Sequence, residues 1–165
     1  MHWFEFALRD FMNVERHSNS TSVIVLDDML PRNIIEAARD RTTGAWTGDV
    51  YKLVAVLREY RPELIAILVD TRPTGLLVVL APDHTSTVLR DHYDEILAAN
   101  AQPDPQPVPA SILERSGAVA PEAFLESGAW RTIARNRRLH LPASRLRTAL
   151  RRDVAPLIAA ASRPT

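Results

Sequence analysis

Two adjacent carboxylates, Asp27 and Asp28, follow directly on the apolar run Val23–Leu26, and Pro31 ends regular pairing three residues later. Paired acids can hold a hard divalent cation, which takes oxygen ligands and keeps several waters. A short unbroken apolar run reads as a strand covered on both faces, the habit of parallel sheets. In open α/β sheets ligands bind just beyond the carboxyl ends of such strands. The acid pair is therefore placed for chemistry. The competing reading of the same dipeptide is a strand end followed by a loop-capping aspartate.

The bulk properties narrow the classes. With 165 residues, 46% of them hydrophobic, one domain with a real core is the default. No cysteine occurs, which excludes a disulfide framework and thiolate chemistry. Glu5, Arg9 and Asp10 break the N-terminal apolar residues, unlike a signal peptide. The apolar runs Leu64–Val69 and Leu76–Ala81 fall far short of the ~20 residues of a membrane span. These features predict a cytoplasmic protein with no membrane partner. Charge is uneven: residues 1–128 hold 11 basic and 19 acidic side chains, and residues 129–165 hold 9 and 1, which suggests a separate basic tail.

The elements that must position the acid pair follow from pattern. His2–Arg16 reads as a helix, with Phe4, Leu8 and Phe11 at i, i+4, i+7 and Trp3 and Phe6 widening the apolar sector. After a polar loop, Val23–Leu26 is a strand. Asn33 and Glu36 have capping-box spacing, which predicts a short helix to about Arg41. Asp49 can cap a helix carrying Val50, Leu53, Val54 and Leu57, stopped at Arg61-Pro62. Leu64–Val69 and Leu76–Leu80, joined by a turn-rich segment, form a hairpin. Ser86–Ala99 is a helix. Asn100–Ala110, with four prolines, is a stiff linker. Ser111 and Pro121 open short helices, and Ala143–Ala161 reads as another, limited by Pro156. The sequence divides into 1–99, a linker at 100–110 and a basic helical tail at 111–165. The fold class is α/β, with about three strands and flanking helices. Val23–Leu26 should be its central strand, yet nothing upstream can pair with one of its sides.

Several blocks carry a resemblance. Met1 to Asp10 (MHWFEFALRD), Val23 to Asn33 (VIVLDDMLPRN), Ala45 to Lys52 (AWTGDVYK) and Pro73 to Leu77 (PTGLL) resemble the C-terminal half of a class I S-adenosylmethionine-dependent methyltransferase of the macrocin O-methyltransferase-like group. The likeness covers about residues 1–99, and more weakly Pro107–Trp130. It implies a Rossmann-like sheet in which Val23–Leu26 is the fifth of seven strands and the hairpin is the sixth and seventh. It implies methyl transfer to a hydroxyl of a small-molecule acceptor, assisted by Mg²⁺ on Asp27 and Asp28. Met1-His2 would match the last two positions of the family's Asp-Gly-x-His motif. The family's glycine-rich loop and ribose-gripping acid are missing, since Gly44, Gly48 and Gly75 are isolated turn glycines. The resemblance therefore implies a truncated enzyme without its cofactor-binding half, inactive alone. The alternative is a non-catalytic relic, or a protein that binds a partner chain or a second copy along the open sheet edge.

The remaining candidates have double readings. His2 could assist proton removal, since histidine titrates near neutrality, but its position favours a frayed terminal residue. By resemblance Trp46, Asp49 and Lys52 approach the acceptor. As residues they read instead as a core-covering aromatic, a helix cap and a solvated lysine. His84 and His92 read as surface residues. The tail arginines (Arg131, Arg135, Arg137, Arg138, Arg145, Arg147, Arg151 and Arg152) lack aromatic interleaving beyond Trp130. A solvated face, or pairing with the acidic part of the chain, is expected over nucleic acid.

Overall fold

The computed structural model describes residues 2–162. Helix α1 (Phe4–Arg16) buries Phe4, Leu8, Phe11 and Glu15 along one stripe. Its own N-cap residue, Trp3, makes no side-chain cap. The cap comes from 45 residues away, where Asp49 Oδ1 accepts the Phe4 N–H at 2.7 Å.

Three strands form one sheet in the order β1 (Val23–Leu26), β3 (Leu76–Leu80), β2 (Ile65–Val69), and β3 is antiparallel to both neighbours. The β2–β3 hairpin forms as the turn chemistry predicts. Val79 stands opposite Ile24 on one side and Ala66 on the other. Strand alternation then sorts the side chains onto two faces. Ile24, Leu68, Leu77 and Val79 pack with α1 and with Leu53, Val54 and Leu57 of α2 (Lys52–Tyr60). Ile65, Ile67, Val78 and Leu80 pack beneath Phe124 of α6 (Pro121–Glu126), Ile133 of α7 (Ala129–Leu139) and Leu146, Leu150 and Val154 of α8 (Ala143–Ala161). The molecule is thus mixed α and β, a small antiparallel sheet between two helical layers.

Several expectations change. The strand Val23–Leu26 is not central. Among the described residues it pairs only with β3, which takes the middle position, and Val25 is 56% exposed. The return strand of the hairpin lies between β1 and β2, so both ladders between the three strands are antiparallel rather than parallel. The far edge of β2 is partly closed by Val119, which bonds Leu68 and Asp70 through backbone contacts of 2.9 Å.

The segment anticipated as a basic tail supplies the second helical layer. Burying Leu146, Leu150 and Val154 stabilises the fold by about 1.5–3 kcal/mol each, while most of the arginines sit on the outer face. Helix α7 has no counterpart in the sequence-based reading, and α8 runs through Pro156, whose missing N–H falls at an exposed position. The predicted helix at 33–41 is a set of turns. Asn33 Oδ1 does accept the Ile35 and Glu36 N–H groups at 3.0 Å. Propagation fails because other partners take the backbone: Thr47 and Gly48 donate to the Glu36 carbonyl, and Asp104 accepts the Arg39 and Asp40 N–H groups. The predicted helix Ser86–Ala99 breaks at His92 into α3 (Val88–Asp91) and α4 (Tyr93–Asn100). The proline-rich linker is bound to the body through Asp104 and Gln106, and it leads to α5 (Ala110–Leu113). Among the described residues no helix is long and apolar enough to cross a membrane.

Candidate functional site

The carboxyl end of β1 gathers His2, Asp27, Asp28 and Trp46. Met1, matched above to the methyltransferase motif, lies outside the described residues. Asp28 adopts a left-handed backbone, φ +65°, a conformation that aspartate tolerates better than most residues. Its N–H donates to Asp27 Oδ1 at 2.8 Å, so one oxygen of the exposed Asp27 is turned back on its own chain. The chain then runs beside the β2–β3 turn: Leu30 donates its N–H to the Thr74 carbonyl at 2.6 Å. Gly75, also left-handed, leaves no room for a Cβ against Leu30. Arg115 closes the same corner, reaching Asp70 at 2.5 Å and the Pro73 carbonyl.

His2 is not a frayed terminal residue. Its Nδ1 lies 3.2 Å from Asp28 Oδ2 and 3.1 Å from the Trp46 carbonyl oxygen. Its ring stacks on the Trp46 indole, with centroids 5.0 Å apart and planes 7° from parallel. Both groups facing Nδ1 are acceptors, so Nδ1 carries the hydrogen. In the neutral ring Nε2 is then the basic atom. The indole is itself fixed, Trp46 Nε1 donating to the Ala38 carbonyl at 2.7 Å. What lets His2 sit here is Gly48. Its φ is +63°, and a Cβ on it would stand 1.7 Å from the His2 carbonyl oxygen. The sequence offers a glycine at this position but no sign that the N-terminus packs on it.

Asp49 and Lys52 turn inward. Asp49 is fully buried, and its Oδ2 receives Arg39 Nη1 at 2.7 Å and Lys52 Nζ at 3.0 Å. Lys52 also donates to the Asn100 carbonyl at 2.5 Å and to Gln106. Asp49 is a cap, as the residue-level reading allowed, but of α1 rather than of its own helix. Lys52 is neither solvated nor open to an acceptor: it staples α2 to the linker. Arg39, which no spacing rule singles out, joins these parts. It pairs with Asp49, binds Glu5 through two hydrogen bonds of 3.0 and 2.6 Å, and lies 5.3 Å over the Trp3 ring. The Arg39 guanidinium holds the Glu5 carboxyl below the usual carboxylate range. Burial pushes the neighbouring Tyr51 phenol up to about 12, reinforced by the charges of Asp49 and Asp104.

A groove of about 460 Å³ runs from this cluster along the free side of β1, between the strand and α1, with Asp10, Val14 and Val25 among its walls. Among the described residues Asp27 Oδ1 and Asp28 Oδ2 are engaged, and Asp27 Oδ2 and Asp28 Oδ1 make no hydrogen bond. Among the described residues no three His, Cys, Asp or Glu side chains converge on one point. The chain contains no Gly-x-Gly. No protein-family model matches the chain, and neither curated proteins nor solved structures give a match.

Proposed function

We propose that the chain carries the acceptor side of a class I S-adenosylmethionine-dependent methyltransferase domain of the macrocin O-methyltransferase-like type. In this reading His2 takes the proton from an acceptor hydroxyl. The observation that carries it is the pairing of His2 Nδ1 with Asp28 and the Trp46 carbonyl, which leaves Nε2 as the base. Asp28 fixes the tautomer, and Trp46 holds the ring plane. Mg²⁺ on Asp27 and Asp28, where one oxygen of each is left over, would supply Lewis-acid polarisation of the hydroxyl. The placement of this cluster at the carboxyl end of a strand, and the antiparallel hairpin beside it, support the same reading. In this reading the methyl donor is not held by the described residues, and the chain alone is expected to be inactive.

The test is a binding experiment. In heteronuclear NMR, small sugars and diols with Mg²⁺ should shift the His2 ring and Trp46 indole signals. The Asp27→Ala, Asp28→Ala double variant should lose the Mg²⁺ response. Unmoved His2 and Trp46 signals across such a panel would remove the acceptor site. Calorimetric titration with S-adenosylmethionine should show no heat, and micromolar affinity would contradict the assignment of the donor side elsewhere.

One observation favours a second reading, a non-catalytic protein that binds a partner by its sheet edge. Strand β1 leaves one side unpaired among the described residues, with Val25 and Val14 exposed beside it. It lacks the charged or proline residues that usually protect such an edge.

A further inference from the structure

We propose that the chain pairs with a second copy of itself along β1, antiparallel about a two-fold axis through Ile24, so that Asp27 of each copy enters a donor-lined cleft on the other. The inference rests on the partner-binding reading above and commits it to one occupant.

The two ends of the free edge are chemically opposite. Beyond its carboxyl end stand Asp27 and Asp28. At its amino end lies a cleft of about 580 Å³ whose walls include Ser20, Thr21, Ser22, Asn136, Arg137 and His140. Arg137 Nη2 donates to the Thr21 carbonyl at 3.2 Å and remains exposed. Asn136 is only 3% exposed. Its Oδ1 accepts the Leu141 N–H at 3.1 Å, which fixes the orientation of the amide. Its Nδ2 is a buried donor with no partner among the described residues. Buried donors are rarely left unmade in folded proteins. A guanidinium beside an unused amide donor calls for an anionic acceptor, and a carboxylate has that chemistry.

Strand geometry brings one there. In an antiparallel pair, residues equally far on either side of the two-fold stand opposite each other. Asp27 is three positions after Ile24, and Thr21 is three before it. The bend holding Asp27, just beyond β1 of one copy, therefore lies beside the turn holding Thr21, just before β1 of the other, where Arg137 is anchored. The faces also agree. Val23 and Val25 lie on the α7 side of the sheet, paired with Leu80 and Val78, and Asp27 stands exposed in the bend just past the strand. A two-fold normal to the sheet keeps this face continuous across both copies. The same register sets exposed Val25 against Val23 of the other copy and adds about four backbone hydrogen bonds. The result is a continuous sheet of six strands.

Sedimentation and light scattering over a dilution series test this. The wild-type chain should show a monomer–dimer equilibrium. Either Asp27→Arg or Arg137→Asp should weaken association by about tenfold or more, because the symmetry repeats each like-charge contact twice. Mixing the two variants should restore a heterodimer, since each then meets an opposite charge at both ends. A wild-type chain that stays monomeric at every concentration overturns the proposal. So does a dimer indifferent to both substitutions. A monomer whose β1 amides become protected from exchange when an unrelated extended peptide is added also overturns it, while leaving the broader partner-binding reading in place.

Discussion

Asp49→Ala distinguishes a residue that holds the fold from one that meets an acceptor. In the structure Asp49 is fully buried and does three things: it caps α1 through Phe4, pairs with Arg39 and pairs with Lys52. Loss of an N-cap costs about 1 kcal/mol. Removing one partner of a buried ion pair costs about 3–5 kcal/mol when the other charge is left bare. Here neither cation is bare: Arg39 keeps its two bonds to Glu5, and Lys52 keeps the Asn100 carbonyl and Gln106. Both also retain some solvent contact, at 15% and 12% exposure. The ionic part therefore falls to about 1–3 kcal/mol, and the total to about 2–4 kcal/mol. That is a large share of the 5–15 kcal/mol typical of a domain. Urea unfolding should show the midpoint falling with an unchanged m value. Hydrogen exchange should report fraying at the Phe4 end of α1. A cycle with Arg39→Met should give a coupling of about 1–2 kcal/mol. A loss under about 0.5 kcal/mol, together with weaker binding of hydroxyl compounds, would refute this reasoning and return Asp49 to the acceptor site.

Acid titration should show a carboxylate contribution to stability. Glu5 lies below its ordinary 4.5 because of Arg39, and Glu36 because of Arg32. Asp104 lies below 3.8: burial opposes its ionisation, but the N–H groups of Asp40 and Arg39 outweigh it. Each folded pKa is depressed, so the stabilisation is complete above the unfolded values and is lost as pH falls through the folded ones. Urea midpoints taken from below to above pH 4.5 should rise, and Arg39→Met should flatten the rise; an equal slope in the variant would sink the Glu5 assignment. Gly48→Ala should cost about 1–3 kcal/mol, from the positive φ and from displacing His2. The His2 ring signals should move with it; unmoved signals at wild-type stability would show that Gly48 does not seat His2.

Much of the fold is legible from local pattern because local burial enforces it. The stripe Phe4, Leu8, Phe11 marks α1, and the runs Leu64–Val69 and Leu76–Leu80 flanking a turn mark the hairpin. Pattern failed where partners are distant. The capping signal at Asn33 and Glu36 is present and locally used, but the chain at Thr47, Gly48 and Asp104 takes the backbone groups a helix would need. Helix α7 hides in an arginine-rich stretch, because charges on the outer face say nothing of Ile133 on the inner one.

The acid pair behind an apolar strand, and its place at the strand's carboxyl end, are determined by the sequence alone, since the unbroken run Val23–Leu26 marks the strand and the two aspartates follow it directly. Only the tertiary structure decided the neighbours. It moved β1 from the centre of the sheet to its edge, because β3 pairs on both sides. It turned Asp49 and Lys52 inward, because Arg39, Gln106 and the α1 amide satisfy them there. It gave His2 a tautomer, because Gly48 admits it between a carboxylate and a carbonyl. Each decision is set by contacts between residues far apart in the chain, which no local period encodes.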